Sequence, residues 1–524
     1  MCPPCPTWRP GSTGSPPRSC ARVSRGTSSI CRELGLTSYL SARAWSRASS
    51  SPQRLWTKRG GTPMADPDLR YKPASELGRM IRGGQVSSTE LTRMYLDALD
   101  SEGRRLNCLA ELAPERALAE AARADAEVAA GTVRGPLHGV PYGVKDLLAT
   151  DGIPTRWGSP AHADQVFDYD AGVVDRLGAA GCVLLGKLSM IELAGGGGYN
   201  TCAASIDGPC LNPYDTSRWA GGSSSGPGAA TAAGLVGFSI GTETWGSILV
   251  PSSFCNLSGM RPTYGRVPRH GAMALSWTMD KIGPMCRSAE DCGLVLQAIA
   301  GHDSRDPSSL PGGWRFVPEA PATDRLRIGV LPTDFGDAET VKGHVERAVA
   351  ELQAMDHTLG EAALPDYPYA TANMTLIHAD GAAAFEKLIR SGEVRKLVDP
   401  QQQAGLIAGL AVPAVDYIKA MQLRSVAGPH AVRVFETFDV LAAPTLLKGA
   451  IPAARPMSET WEGMGGNGGP NNLLGWPSLT VPMGSDDEGL PVGLELVGPP
   501  GGETALLALG VQLQGATDWH LRRP

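Results

Sequence analysis

The chain has 524 residues, of which 42% are hydrophobic and 19% charged, enough to bury a large core. A formal net charge of −6 argues against a nucleic-acid or anionic-membrane partner, and no run reaches the roughly 18 apolar residues of a membrane span. Gly and Pro number 65 and 42, about a fifth of the chain and below the roughly 25–30% typical of disordered sequences.

Eleven cysteines is an odd count, and most sit among small or apolar residues, as expected of reduced, buried thiols in a cytoplasmic enzyme. The nine histidines are scattered and no H-E-x-x-H occurs, so neither a metal nor a cofactor is expected.

Residues 1–63 carry ten basic side chains against a single acid, Glu33, with dense Ser, Pro and Cys and no sustained period. They read as a disordered leader, either a transit segment or translated sequence upstream of a functional start at Met64. Residues 64–524 read as one domain, with N-terminal helices over 64–130, a core over 131–310 and a C-terminal half over 311–524. Ser87-Ser88-Thr89-Glu90 is a capping box opening a helix, and Pro114 suits the first turn of another that ends near Gly131. From Gly135 short apolar runs alternate with Gly and Pro. Strands are predicted at 140–144, 182–186 and 235–240, with helices at 172–181 and 229–233, an α/β pattern around a covered sheet. Further on, strands are predicted at 326–331, 438–445, 479–482 and 492–496. Helices are predicted at 339–355, 371–392 and 502–513, and a Gly/Pro-rich loop at 447–472.

Three residues in glycine-rich runs carry the chemical signal. Lys145 lies in Gly143-Val144-Lys145-Asp146, Ser223 in Gly221-Gly222-Ser223-Ser224-Ser225-Gly226, and Ser247 in Gly241-Thr242-Glu243-Thr244-Trp245-Gly246-Ser247. A serine needs a base to act as a nucleophile at neutral pH, and a lysine serves if burial lowers its pKa. No histidine sits in these stretches. Read singly, each serine is an ordinary turn residue and the lysine an ordinary surface cation; the three in register are what point to serine chemistry run by lysine.

These stretches, with Pro251-Ser252-Ser253-Phe254-Cys255, Gly259-Met260-Arg261-Pro262-Thr263-Tyr264-Gly265-Arg266 and the C-terminal Asn472-Leu473-Leu474-Gly475-Trp476-Pro477, resemble in order and spacing the amidase signature family of serine amide hydrolases. The likeness spans residues 72–524 and is thin between about 310 and 435. It implies an α/β/α sandwich around a large mixed central sheet. It further implies Ser247 as nucleophile, Ser223 as bridging serine behind a cis Gly222–Ser223 peptide, and Lys145 as base. Thr244, Trp245 and Gly246 match the oxyanion hole, and Met190 and Ser224 are assigned to substrate binding. Lys187 and Glu192 read as structural, and His270 as a satisfied polar residue.

Two positions depart from many relatives, which carry Asp at Glu243 and Gly at Trp245. The extra methylene of Glu243 is expected to bear on the loop, and Trp245 to wall the acyl pocket; a positive φ at Trp245 would strain the loop. The expected activity is hydrolysis of a small-molecule amide, without nucleic acid or membrane and with a homodimer left open. The alternative is the glutaminase component of a tRNA-dependent amidotransferase, in which the same triad releases ammonia for a partner. An α/β-hydrolase using Ser224 with His430 or His520, and a non-catalytic binder, are weaker readings.

Overall fold

The computed structural model describes residues 67–316, 325–466 and 468–524; the leader expected over 1–63 lies outside them. The capping box forms as read. Glu90 N–H donates to Ser87 Oγ at 3.0 Å and Ser87 N–H returns to Glu90 Oε2 at 2.8 Å, opening the helix Ser88–Ala98. Pro114 starts the helix Pro114–Ala129.

The first half contributes β1 (Leu109–Leu112), β2 (Pro141–Lys145), β3 (Val183–Leu188), a small hairpin of β4 (Leu211–Asn212) and β5 (Asp215–Trp219), β6 (Phe238–Glu243), β7 (Ser258–Arg261) and β8 (Lys281–Cys286). The second half adds β9 (Arg327–Val330), β10 (Thr358–Glu361), β11 (Val440–Pro444), β12 (Ser478–Ser485) and β13 (Pro491–Val497). Outside the hairpin these strands form one eleven-stranded mixed sheet in the order β1-β3-β2-β6-β8-β7-β12-β13-β11-β9-β10. Every residue of β2, β3, β6, β7, β8 and β13 is buried, which requires cover on both faces of the sheet. This is the mixed α/β architecture the motifs imply.

β2 and β6 run parallel, and β8 runs antiparallel to β6 with Lys281 opposite Glu243. The C-terminal ends of β2 and β6 therefore meet the start of β8 at one edge, the side where open α/β sheets place their chemistry. The halves join where β7 pairs with β12, Arg261 opposite Ser478.

Several predicted elements differ from those observed. β1 interrupts the region read as continuous helix, and β7, β8 and β10 fall where no strand is predicted. The loop read over 447–472 contains the short helices Met457–Thr460 and Gly468–Leu473. The helices Pro400–Gly409 and Ala414–Ala431 fall where the apolar period is weak. Among the described residues no single helix is long and apolar enough to cross a membrane. The described cysteines, seven in all, are buried and unpaired.

Gly226 opens the helix Ser225–Ala232 hard against the chain after β3. A Cβ there would sit 2.4 Å from Ser189 N, 2.5 Å from Ser189 O and 2.6 Å from Cys108 O. All three are backbone atoms and cannot step aside. Gly226→Ala is therefore expected to cost about 2–3 kcal/mol or more of stability, measurable as a lowered urea midpoint with unchanged slope.

Candidate active site

Lys145 closes β2 and is fully buried. Its Nζ lies 2.8 Å from Ser223 Oγ, 3.0 Å from Thr242 Oγ1 and 3.4 Å from Thr242 O. Burial lowers its pKa to about 7, partly opposed by the negative charges of Asp280 and Glu243. None of these three partners carries a charge, so no counter-ion in contact with the amine offsets the burial that disfavours its ammonium form.

Ser223 follows a cis Gly222–Ser223 peptide, as the resemblance implies. Its carbonyl accepts from Ile191 N–H at 3.2 Å. Gly222 has no room for a side chain, since a Cβ would meet the Trp219 ring at 2.5 Å. One residue on, Ser224 N–H donates to Ser247 C=O at 3.3 Å, so the two serine turns are joined through the backbone. Ser247 closes the loop after β6, just ahead of the helix Leu249–Phe254.

Glu243 shapes that loop. Its carboxylate is completely buried; Oε2 accepts from the N–H groups of Ile248 (2.8 Å) and Leu249 (3.0 Å), and Oε1 accepts from Arg261 at 2.7 Å. The carboxylate thus reaches from the end of β6 over the loop to the start of the following helix. Burial alone would raise the Glu243 pKa, but Arg261, with Lys281 and the backbone donors, holds it down at about 2. Arg261 also donates to Trp476 C=O at 3.3 Å and to Ser478 Oγ.

The one positive φ in the loop belongs to Gly246 (+85°), so Trp245 is not forced into the left-handed region. Trp245 is half-buried, packed against an apolar cluster that includes Met279, Tyr369, Leu376 and Leu473. Together with Gly246, Leu249, Val250, Leu446 and Trp461 it lines a cavity of about 300 Å³. A second cavity of about 220 Å³ borders the start of the loop, lined by Thr242, Thr244, His270, Trp277, Asp280 and Lys281 among others.

Two substrate-binding assignments need correction. Met190 is completely buried in the main core and lines neither cavity. The Ser224 hydroxyl is consumed by one residue of β6, accepting from Thr242 N–H at 3.2 Å and donating to Thr242 C=O at 3.1 Å. That pairing also removes Ser224 as an α/β-hydrolase nucleophile, because His430 is bonded to Tyr367 and His520 lies in the C-terminal turn. Lys187 donates to Leu148 C=O (2.7 Å) and Thr155 Oγ1 (2.6 Å), and Glu192 accepts from the N–H groups of Val398 and Asp399, in keeping with structural roles.

The sequence reading missed Thr242, Arg261, Asp280 and Lys281. Thr242 and Arg261 lie inside the motifs already quoted; a charge within an otherwise apolar strand was the available signal. Asp280 Oδ1 accepts from Thr244 Oγ1 at 2.6 Å, and Lys281 Nζ donates to Thr244 C=O at 3.5 Å and to Met279 C=O.

Comparisons with known proteins bear on the family and the fold. The Amidase family profile matches residues 90–507. The chain is 36% identical over 491 residues to the A component of the glutamyl-tRNA(Gln) amidotransferase of Moorella thermoacetica, covering 87% of this chain and 99% of that protein. It superposes on the native peptide amidase of Stenotrophomonas maltophilia with a TM-score of 0.78 at 32% identity, covering 88% of this chain and 99% of the other. A bacterial aryl acylamidase shares the fold, with a TM-score of 0.76 at 24% identity over 86% and 97% of the two chains.

Glu243→Gln should expose the weight of the buried pair. Leaving Arg261 without its counter-charge is expected to cost about 3–5 kcal/mol in urea unfolding at pH 7. The native carboxylate, depressed from 4.5 to about 2, stabilises the fold above pH 4.5 and loses that contribution as pH falls toward 2. The variant should therefore show a flatter stability profile across that window.

Proposed function

The chain belongs to the amidase family and is thus a hydrolase of amide C–N bonds, and from that premise we propose that it cleaves a small-molecule carboxylic amide through an acyl-enzyme on Ser247. The single observation that carries the reading is the completely buried Lys145 amine 2.8 Å from Ser223 Oγ. A neutral amine has two N–H bonds and one lone pair. Thr242 Oγ1 and Thr242 C=O take the two N–H groups, which leaves the lone pair facing the Ser223 hydroxyl.

Ser247 Oγ then attacks the amide carbon as its proton passes to Ser223 and the Ser223 proton passes to Lys145. The tetrahedral oxyanion is held by backbone N–H groups of the loop Thr244, Trp245, Gly246 and Ser247, the donors upstream of those Glu243 occupies. Collapse breaks the C–N bond, and the proton returns through Ser223 to the departing nitrogen, which leaves as neutral ammonia or amine. Water, deprotonated by the same relay, hydrolyses the ester and restores Ser247.

The wall of the 300 Å³ cavity supports an apolar or aromatic acyl group. Trp245, Trp461, Leu249, Val250 and Leu446 are neutral, and the charges behind them, Glu243, Arg261 and Glu495, lie close to one another. Similarity to the amidotransferase component favours a second reading, glutamine hydrolysis within a multi-subunit enzyme. A zwitterionic glutamine needs charged partners not already engaged, and the cation lining this cavity, Arg261, is already bonded to Glu243. All three relay side chains come from one chain, so the proposed bond cleavage needs no residue from a second copy and no group from a nucleic acid. The buried free thiols support a cytoplasmic site of action.

Fluorophosphonate labelling followed by peptide mass spectrometry tests the mechanism. Modification is expected at Ser247; modification at Ser224, or none, rejects the assignment. Lys145→Ala should lower labelling by about a hundredfold or more, and the wild-type rate should be lost as pH falls below about 7 and the Lys145 amine takes up a proton. Trp245→Gly should shift hydrolysis toward longer or wider acyl groups while preserving the labelled serine. Turnover of glutamine but not of aryl or alkyl amides by the isolated protein would favour the second reading.

A further inference from the structure

β8 begins with another buried amine that the proposed relay does not use. Lys281 is only 2% exposed and sits opposite Glu243 across the β6–β8 ladder. Its Nζ donates to two carbonyls, Met279 C=O and, at 3.5 Å, Thr244 C=O. The neighbouring Asp280 takes the Thr244 hydroxyl at 2.6 Å and is itself fixed by the N–H groups of Leu275 (2.8 Å) and Ser276 (3.0 Å). Two consecutive residues thus grip both the side chain and the carbonyl of the first residue of the loop.

The carbonyl of Thr244 and the N–H of Trp245 belong to the same planar trans peptide and point in opposite directions. Fixing the oxygen fixes the direction of the N–H. A cation at the oxygen also draws electron density through the amide and makes that N–H a stronger donor. We propose that Lys281 is a positioning residue that aims and polarises the Thr244–Trp245 peptide, so that the Trp245 N–H meets the oxyanion formed on Ser247.

The inference rests on the acyl-enzyme reading above. It gives the site a second ionisable group with the opposite requirement, Lys145 acting as the free amine and Lys281 as the ammonium. The charged groups around Lys281 are the adjacent Asp280, Glu243 on β6, Arg261 on β7 and Arg424 on the helix Ala414–Ala431, with Glu495 of β13 behind Arg261. Burial and the two arginines pull its pKa down to about 7, against the two acids. A rate that depends on both amines rises on the acid side with Lys145 and declines on the alkaline side as Lys281 loses its proton.

The experiment measures the rate constant and the affinity for fluorophosphonate labelling of Ser247 from about pH 5.5 to 9.5, a window spanning both amines. The proteins are the full-length wild type, Lys281→Met and Lys281→Gln. Lys281→Met is expected to lower the maximal labelling rate about tenfold or more, to leave affinity for the probe nearly unchanged and to abolish the alkaline decline. Lys281→Gln, which keeps a neutral donor, should fall between and also lack the decline; it carries the test if thermal melting shows the Met variant unfolded. Wild-type rates in a folded variant, a retained alkaline limb, or a loss confined to affinity would each overturn the role of Lys281. Absence of Ser247 labelling in the wild type itself would overturn the acyl-enzyme reading, and this inference with it.

Discussion

A carboxylate and a guanidinium, both sealed from water, hold the loop on which this structure turns. Glu243 leaves the end of β6, bonds Arg261 of β7, and reaches over to the N–H groups of Ile248 and Leu249. Moving two such charges out of water costs several kcal/mol each, and only close pairing with every lone pair used makes the arrangement tolerable. Because the carboxylate spans strand and helix, the intervening residues 244–247 have little freedom. Gly246 absorbs the one backbone angle that a side chain would resist.

Around this pair the interior is unusually rich in ionisable groups. Lys145 and Lys281 both lie below the ordinary lysine range, and burial is the leading cause for each. Their partners differ. Lys145 faces two hydroxyls and a carbonyl, none of them charged, and is suited to give up its proton. Lys281 faces two carbonyls, with Asp280 beside it and Glu243 across the ladder set against Arg261 and Arg424. The sheet sets both amines at the same edge through opposite strand directions, one ending a strand and the other beginning one.

How much of this was legible in the sequence follows from where each signal resides. Lys145, Ser223 and Ser247 were readable because glycine-rich runs mark close backbone approach, and the crowding at Gly222 and Gly226 is the physical form of that mark. The capping box at Ser87–Glu90 was readable because its bonds are local. Met190 misled because a methionine beside a motif looks the same whether it faces a cavity or the core. Ser224 misled because its partner, Thr242, is set by the packing of a helix on a strand rather than by spacing along the chain. Asp280 and Lys281 went unread for the same reason, since their meaning depends on a neighbour 37 residues away across an antiparallel ladder. The cluster that Trp245 packs against draws on both the predicted helix after residue 369 and the unassigned helix Ala414–Ala431.

The seam between β7 and β12 ties Arg261 to both halves of the chain. Its guanidinium meets Glu243 from the first half of the chain, but its remaining acceptors, Trp476 C=O and Ser478 Oγ, arrive only with the second. Completion of the reactive loop is therefore tied to completion of the whole sheet: a chain folded through only its leading strands lacks the contacts that bring that guanidinium to rest. The same segment that completes the sheet thus also completes the anchor of that loop.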